Sequence, residues 1–152
     1  MSNIPTFVLD ASVGAKWFYK ESLSENASHF LERLMRREIR IVVPEFFYSE
    51  IAHVFVKRLR RKMITFEQAL LELDEAMELP IEFYPDRELA DVALENALRF
   101  KISVYDSLYL SLAEIYVAPL ITADEALLKA CQKKFDFIES LQDFSWKPGR
   151  KS

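Results

Sequence analysis

Thr6-Phe7-Val8-Leu9-Asp10 is a short, mainly apolar run that ends at a single acidic residue. The run is too short for an ordinary helix, and it predicts a strand that is buried on both faces. A second run of this kind covers residues 39–43 and is followed by Pro44. Three further strands are predicted at residues 81–83, 120–122 and 135–138.

Between these runs, the apolar residues recur with the spacing of helices. Residues 24–38 have one apolar face, and a second such face follows Pro44, a residue suited to a first helical turn. Further helices are predicted to begin at Thr65, Asp86, Tyr105 and Asp124. Apolar strands that alternate with helices are typical of a parallel sheet covered on both faces. We therefore predict an α/β fold, a three-layer α/β/α sandwich around a central, mainly parallel five-stranded sheet.

The length of 152 residues predicts one domain, which we expect at residues 1–145, followed by a short basic tail at 146–152. Cys131 is the only cysteine, so no internal disulfide can form, as is usual in a reducing compartment. No apolar run approaches the ~20 residues that cross a bilayer, and the N-terminus lacks the features of a signal peptide. We expect a cytoplasmic protein with no membrane association.

The composition excludes the glycine-rich loops that many proteins use to bind phosphate. The chain has 2 glycines, Gly14 and Gly149, which cannot form a dinucleotide-binding turn or a P-loop. Any phosphate chemistry must therefore depend on side chains or on metal ions.

Two acidic residues follow predicted strands, where parallel α/β sheets bind their ligands. Asp10 comes directly after the first strand, and Asp124 lies two residues after Thr122. Each also precedes a predicted helix, so each is alternatively a helix N-cap.

Two other carboxylates are hard to explain as surface residues. Glu50 has apolar neighbours at helical spacing, and Asp106 opens a helix with no other charge until Glu114, although it too is alternatively an N-cap. An isolated buried carboxylate must be paired, protonated or bound to metal. Four carboxylates without His or Cys suit hard cations such as Mg²⁺ or Mn²⁺, which activate water and stabilise leaving oxygens in phosphate chemistry.

Four segments in this order resemble the PIN-domain nucleases, and most closely the VapC-type ribonuclease toxins. They are Phe7-Val8-Leu9-Asp10-Ala11-Ser12, Pro44-Glu45-Phe46-Phe47-Tyr48-Ser49-Glu50-Ile51, Ser103-Val104-Tyr105-Asp106-Ser107-Leu108-Tyr109 and Leu120-Ile121-Thr122-Ala123-Asp124. The resemblance covers nearly the whole chain, including the helical insert between the second and third acids.

The resemblance implies a five-stranded parallel sheet and a divalent-metal-dependent endoribonuclease that cleaves single-stranded or exposed RNA. It implies that Asp10, Glu50, Asp106 and Asp124 are the catalytic, metal-binding acids and that Ser12 and Thr122 support them. The expected cofactor is Mg²⁺ or Mn²⁺. The expected partners are RNA, a small antitoxin protein and a second copy of the chain.

Charge is unevenly distributed along a chain whose net charge is −4. The charged residues of 33–62 are mainly basic, and those of 67–95 are all acidic apart from Arg87. The densest basic run, Lys57-Arg58-Leu59-Arg60-Arg61-Lys62, supplies five candidates for contacts with RNA phosphates (Lys57, Arg58, Arg60, Arg61, Lys62). Cations at a helix end also favour the helix dipole, so a structural role competes with RNA binding.

Two other functions remain open from the sequence. A metal-dependent phosphatase or phosphotransferase also places Asp after the first strand, but the haloacid-dehalogenase type needs a second Asp where this chain has Ser12. A non-catalytic RNA-binding module is typical of PIN-like chains that have lost acids, whereas all four acids are present here. We interpret His29, His53 and Cys131 as structural or surface residues.

Overall fold

The structure, a computed structural model, describes residues 3–146 and contains one five-stranded sheet. Its strands are β1 (Thr6–Leu9), β2 (Arg40–Pro44), β3 (Glu82–Tyr84), β4 (Leu120–Thr122) and β5 (Ile138–Ser140). Their order across the sheet is β3-β2-β1-β4-β5, and every neighbouring pair is parallel. The predicted five-stranded sheet is confirmed, and it is wholly parallel.

Within residues 3–146, seven α-helices connect and cover these strands. They are α1 (Ala11–Gly14), α2 (Ser24–Met35), α3 (Phe47–Arg60), α4 (Phe66–Met77), α5 (Ala90–Phe100), α6 (Val104–Tyr116) and α7 (Glu125–Cys131). Short 3₁₀ helices lie at Ala15–Trp17 and Asp86–Glu88. Every residue of β1 and β4 is buried, so helices cover both faces of the sheet and the predicted α/β class is confirmed.

The order of the strands reverses between β1 and β4. Val8 of β1 pairs with Val42 of β2 on one side and with Leu120 of β4 on the other. Because β1 and β4 are parallel neighbours, their carboxyl ends lie at the same edge of the sheet. Asp10 and Asp124 follow these ends. Clefts outside the carboxyl ends of parallel strands at such a reversal are where α/β folds bind ligands.

Several predicted boundaries are wrong by a few residues, among them those of the strand at 81–83, which covers Glu82–Tyr84, and of the helix at 24–38, which ends at Met35. Two further errors have an identifiable physical cause. Pro44 does not begin a helix: it ends β2, because pairing with β3 continues through it to a bond from Glu45 N to Tyr84 O at 3.1 Å. The last strand begins at Ile138 because the backbone of Phe135 is occupied at the end of α7, where its N–H bonds Cys131 O at 2.9 Å.

The end of the described chain packs against α2. Trp146 lies 4.7 Å from Phe30 between ring centroids, and the guanidinium of Arg33 lies 4.1 Å from the Trp146 ring. The other residues of the predicted basic tail, 147–152, lie outside the described residues, so the proposed division at residue 145 stays a prediction. Within residues 3–146, no helix combines the length and apolar character needed to cross a membrane.

Candidate active site

Asp10 is a buried carboxylate that two hydroxyl groups hold in place. Its side chain is the N-cap of α1, and Ser12 Oγ and Thr122 Oγ1 donate to its two oxygens. Burial raises the pKa of Asp10 to about 6; the two hydroxyl bonds oppose this rise, and the negative charges of Asp124 and Asp106 add to it. Ser12 and Thr122 therefore fix the carboxylate from two different segments of the chain.

Asp124 occupies the start of α7 on the neighbouring strand connection. Its Oδ1 accepts from Ala126 N at 2.9 Å and Leu127 N at 3.1 Å, so it is an N-cap, the alternative that the sequence left open. Its own N–H donates to Thr122 Oγ1 at 3.0 Å. Within the described chain its Oδ2 makes no hydrogen bond, so capping leaves one oxygen available for a ligand.

Glu50 reaches the same region from the first turn of α3. The buried hydroxyl of Tyr109 in α6 donates to its Oε1. Burial raises the pKa of Glu50 to about 7; the Tyr109 bond opposes the rise, and the charges of Asp10 and Asp106 add to it. This carboxylate is therefore held by a residue 59 positions later in the sequence.

Asp106 lies in the first turn of α6 and is not its N-cap. Ser103 is the cap, because its Oγ accepts from Asp106 N at 3.0 Å. Burial and the charge of Asp124 raise the pKa of Asp106, while a bond from Ser103 lowers it. The side chain is half-buried, less than its apolar helix suggested, and helix capping does not explain it.

These four carboxylates, the acid cluster (Asp10, Glu50, Asp106, Asp124), repel one another and have no basic partner among the described residues. None of the ion pairs within residues 3–146 involves any of them. As placed, no three acidic, histidine or cysteine side chains of this described part form a ready-made metal cage. Mg²⁺ is usually bound through one or two carboxylates, with water and substrate phosphate completing its shell, so an oxygen-only cluster of this kind fits it.

Two cavities lie beside the acid cluster and share Glu50 and His53. The aromatic cavity, about 460 Å³, is also lined by Phe46, Ser49, Ser103, Tyr105 and Asp106. The basic cavity, about 350 Å³, is also lined by Ser12, Lys16, Tyr19, Glu21 and Lys57. The cluster therefore lies between an aromatic and a partly cationic pocket.

The predicted RNA-binding cations are not equivalent in the structure. Lys57 lines the basic cavity, and Arg60, Arg61 and Lys62 are exposed at the end of α3. Arg58 is 9% exposed, bonds Glu72 Oε2 at 3.1 Å and lies 4.5 Å from the Tyr19 ring centroid. Arg58 therefore joins α3, α4 and the segment after α1, and its guanidinium has little access to a phosphate.

Three residues near the site were not among the sequence candidates. His53, interpreted as structural or surface, is exposed and lines both cavities, as its position three residues after Glu50 on α3 could have indicated. Tyr109 lies three residues after Asp106 on α6, but its bond to Glu50 depends on tertiary packing. Lys16 is a single cation in the apolar stretch 13–18, which hints at burial and gives no partner.

The fold and the site define an α/β protein with an acidic cleft at the reversal point of a parallel sheet. The sequence pattern of the PIN domain matches residues 7–133, and the chain therefore belongs to the PIN domain family. No curated protein matches it significantly.

Solved structures with this fold include PAE2754 from Pyrobaculum aerophilum, at a TM-score of 0.68 and 19% identity over 91% of this chain and 85% of that one. A toxin-antitoxin complex from Klebsiella pneumoniae matches at 0.60 and 12% identity, over 88% and 96% of the two chains. Mycobacterium tuberculosis VapC20, a Sarcin-Ricin loop cleaving toxin, matches at 0.61 and 13%, over 82% and 95%. At these identities the likeness concerns the fold.

Proposed function

We propose that this PIN domain is a divalent-metal-dependent endoribonuclease that hydrolyses phosphodiester bonds of RNA. The main support is the acid cluster at the ligand-binding edge of the sheet, where four carboxylates repel one another and have no basic partner within residues 3–146. Such a cluster is costly unless a cation compensates it. The chain's membership of the PIN domain family supports a nuclease rather than another enzyme of phosphate chemistry.

The four acids have different proposed roles, which follow from how each side chain is held. Asp10, Asp106 and Asp124 would hold Mg²⁺ or Mn²⁺, which supplies activation of water and stabilisation of the leaving oxygen. Asp10 has the most fixed orientation, because Ser12 and Thr122 hold both of its oxygens. Glu50, whose pKa is about 7, is suited to accept a proton near neutral pH, and Tyr109 positions it.

The aromatic cavity supports a single-stranded substrate. Phe46 and Tyr105 lie with ring centroids 5.2 Å apart at an angle of 30°, and Tyr105 is 63% exposed. Exposed aromatic rings stack on unpaired bases, which a duplex keeps inside its own stack. Phosphates along the same strand would be contacted by Lys57, Arg60, Arg61 and Lys62. Arg58 would make no such contact, because it is buried.

We also propose that the chain is the toxin of a toxin–antitoxin pair, active in the cytoplasm as a homodimer and neutralised by a small antitoxin. The support comes from structures with the same fold, one a toxin-antitoxin complex and one an RNA-cleaving toxin. Co-purification with the product of an adjacent small gene is the observation that tests this part.

Cleavage of a single-stranded RNA by the purified chain tests the nuclease. We expect cleavage with Mg²⁺, none with a chelator, and a loss of about 10²-fold or more for Asp106→Asn. Asp74→Asn, an exposed acid of α4, is the matched control and should cleave as the wild type does. RNA binding without cleavage under all these conditions would favour the non-catalytic module, and equal losses in both variants would remove Asp106 from the site.

A further inference from the structure

Lys16 is a cation inside the protein. It lies in the 3₁₀ helix that follows α1 and is 9% exposed. Its Nζ lies 2.5 Å from Oε1 of Glu21, whose side chain is 33% exposed. Tyr19 also hydrogen-bonds Glu21. Glu21 therefore holds the buried ammonium from the solvent side.

The Lys16–Glu21 pair lies in the wall of the basic cavity. The same wall contains Ser12, whose hydroxyl holds Asp10, and Glu50 of the acid cluster. The ammonium is therefore next to the reacting region, along the cleft from the acids. A cavity of about 350 Å³ is large enough to admit part of a nucleotide chain.

The hydrogen bonds of Lys16 are incomplete. An ammonium has three donors, and within the described residues Nζ donates only to Glu21. Lysine is rarely buried unless it is paired, and its remaining donors need acceptors. Water can fill that place in the free protein, and a phosphate oxygen can replace the water.

The basic cavity contains two lysines, of which only Lys16 has an ion-pair partner within residues 3–146. Apart from Glu50, which belongs to the acid cluster, its charged residues are Lys16, Lys57 and Glu21. Lys57 makes no ion pair within residues 3–146. Lys57 is therefore available to an anion, since Glu21 compensates Lys16 and no carboxylate of the described residues forms an ion pair with Lys57.

We propose that the basic cavity is a backbone-phosphate subsite, in which Lys16 and Lys57 bind a phosphate of the RNA strand neighbouring the one that is cut. Glu21 is a positioning residue that holds the Lys16 ammonium. This inference rests on the proposed nuclease function and adds to it the direction in which the strand leaves the acid cluster.

Salt-dependent binding separates this role from a purely structural ion pair. A single-stranded RNA oligonucleotide is titrated by fluorescence anisotropy across a range of salt concentrations, using the full chain with Asp10→Asn so that the RNA stays intact. Adding Lys16→Met, which keeps the buried stem and removes the charge, should weaken binding several-fold. It should reduce the slope of log affinity against log salt by about 0.7, the loss of one contact with a single strand. Lys20→Met is the matched control, because Lys20 is exposed and outside the basic cavity, and its slope should not change.

Glu21→Gln distinguishes the two roles directly. It breaks the same ion pair but leaves the ammonium in place, so a subsite predicts that the slope is retained. A structural pair predicts equal effects of Lys16→Met and Glu21→Gln, and that result, or an unchanged slope in Lys16→Met, would overturn the subsite. If the parent chain binds no RNA at all, the nuclease proposal itself fails. If the parent chain binds RNA and Lys16→Met leaves the salt slope unchanged, the subsite alone fails.

Discussion

Asp10 is a buried carboxylate and Glu50 a half-buried one, and their hydrogen-bond partners hold them differently. Hydroxyl groups hold both oxygens of Asp10, which fixes its direction, whereas one tyrosine holds Glu50. In each case burial is the main cause of a raised pKa, and neighbouring acids add to it. Both residues therefore destabilise the metal-free protein when they are ionised.

The first prediction concerns stability without divalent metal. The pKa of Asp10 is about 6 in the folded chain against 3.8 for an ordinary Asp, so the folded state binds its proton more tightly than the unfolded state. The contribution of Asp10 to stability is greatest below pH 4 and is lost as pH rises through 6. The stability of Asp10→Asn relative to the wild type should therefore increase by about 2 to 3 kcal/mol between pH 4 and pH 7.

Urea denaturation at several pH values with a chelator present measures this difference. Asp74→Asn, a substitution at an exposed position of α4, is the matched control. A constant difference in unfolding free energy between Asp10→Asn and the wild type across this pH range would mean that burial does not raise the pKa of Asp10.

The second prediction concerns the bond between Tyr109 and Glu50. This bond lowers the pKa of Glu50, so Tyr109→Phe should raise it and move the acidic limb of the pH–rate profile to higher pH. Cleavage near pH 6.5 should fall about 3- to 10-fold and recover at higher pH. A uniform loss at every pH would instead indicate that Tyr109 only supports packing.

At the scale of elements, α3 carries opposite charges at its two ends. Glu50 lies in its first turn, and Lys57, Arg58 and Arg60 lie in its last. The helix dipole stabilises both placements, so it is sufficient to explain why α3 is acidic at its start and basic at its end. Exposure then separates the cations, since Arg58 is buried in an ion pair and Arg60 is open to a ligand.

The third prediction tests the exposed end of this helix. Replacing Arg60 and Arg61 by Ala should weaken RNA binding and reduce the salt slope by about 0.7 for each lost contact, with no change in metal dependence. Arg36 and Arg37 are a matched pair, because they precede β2 and lie at the opposite edge of the sheet. If both double variants change RNA affinity and the salt slope equally, the end of α3 is a solvated helix terminus and not a specific RNA contact.

The elements themselves were largely predictable, because buried parallel strands are short apolar runs. β1 and β4 have the predicted bounds, and the cap at Thr65 matches the predicted start of α4. Errors occur where pairing continues beyond the apolar run, as at Pro44, and where the apolar run begins at the end of a helix, as at Phe135. α1, with four residues, is too short to show a helical period.

At the scale of the whole molecule, strand order creates the site. β1 and β4 are far apart in sequence but adjacent in the sheet, so Thr122 can bond Asp10 across 112 positions. The four acids were predictable from their positions after strands or on apolar helix faces and from the family resemblance. The bond from Tyr109 to Glu50 and the pairing of Lys16 with Glu21 beside the cluster were not, because no local pattern specifies which side chains meet after folding.

Binding of a divalent cation by the acid cluster can be observed by anomalous diffraction from crystals containing Mn²⁺. We expect an anomalous peak among the carboxylates of Asp10, Asp106 and Asp124, within about 2 to 2.5 Å of at least one of their oxygens. The peak should be lost in Asp10→Asn crystals grown under the same conditions. Mn²⁺ bound only elsewhere, or no peak in the wild-type cluster at saturating Mn²⁺, would contradict the account.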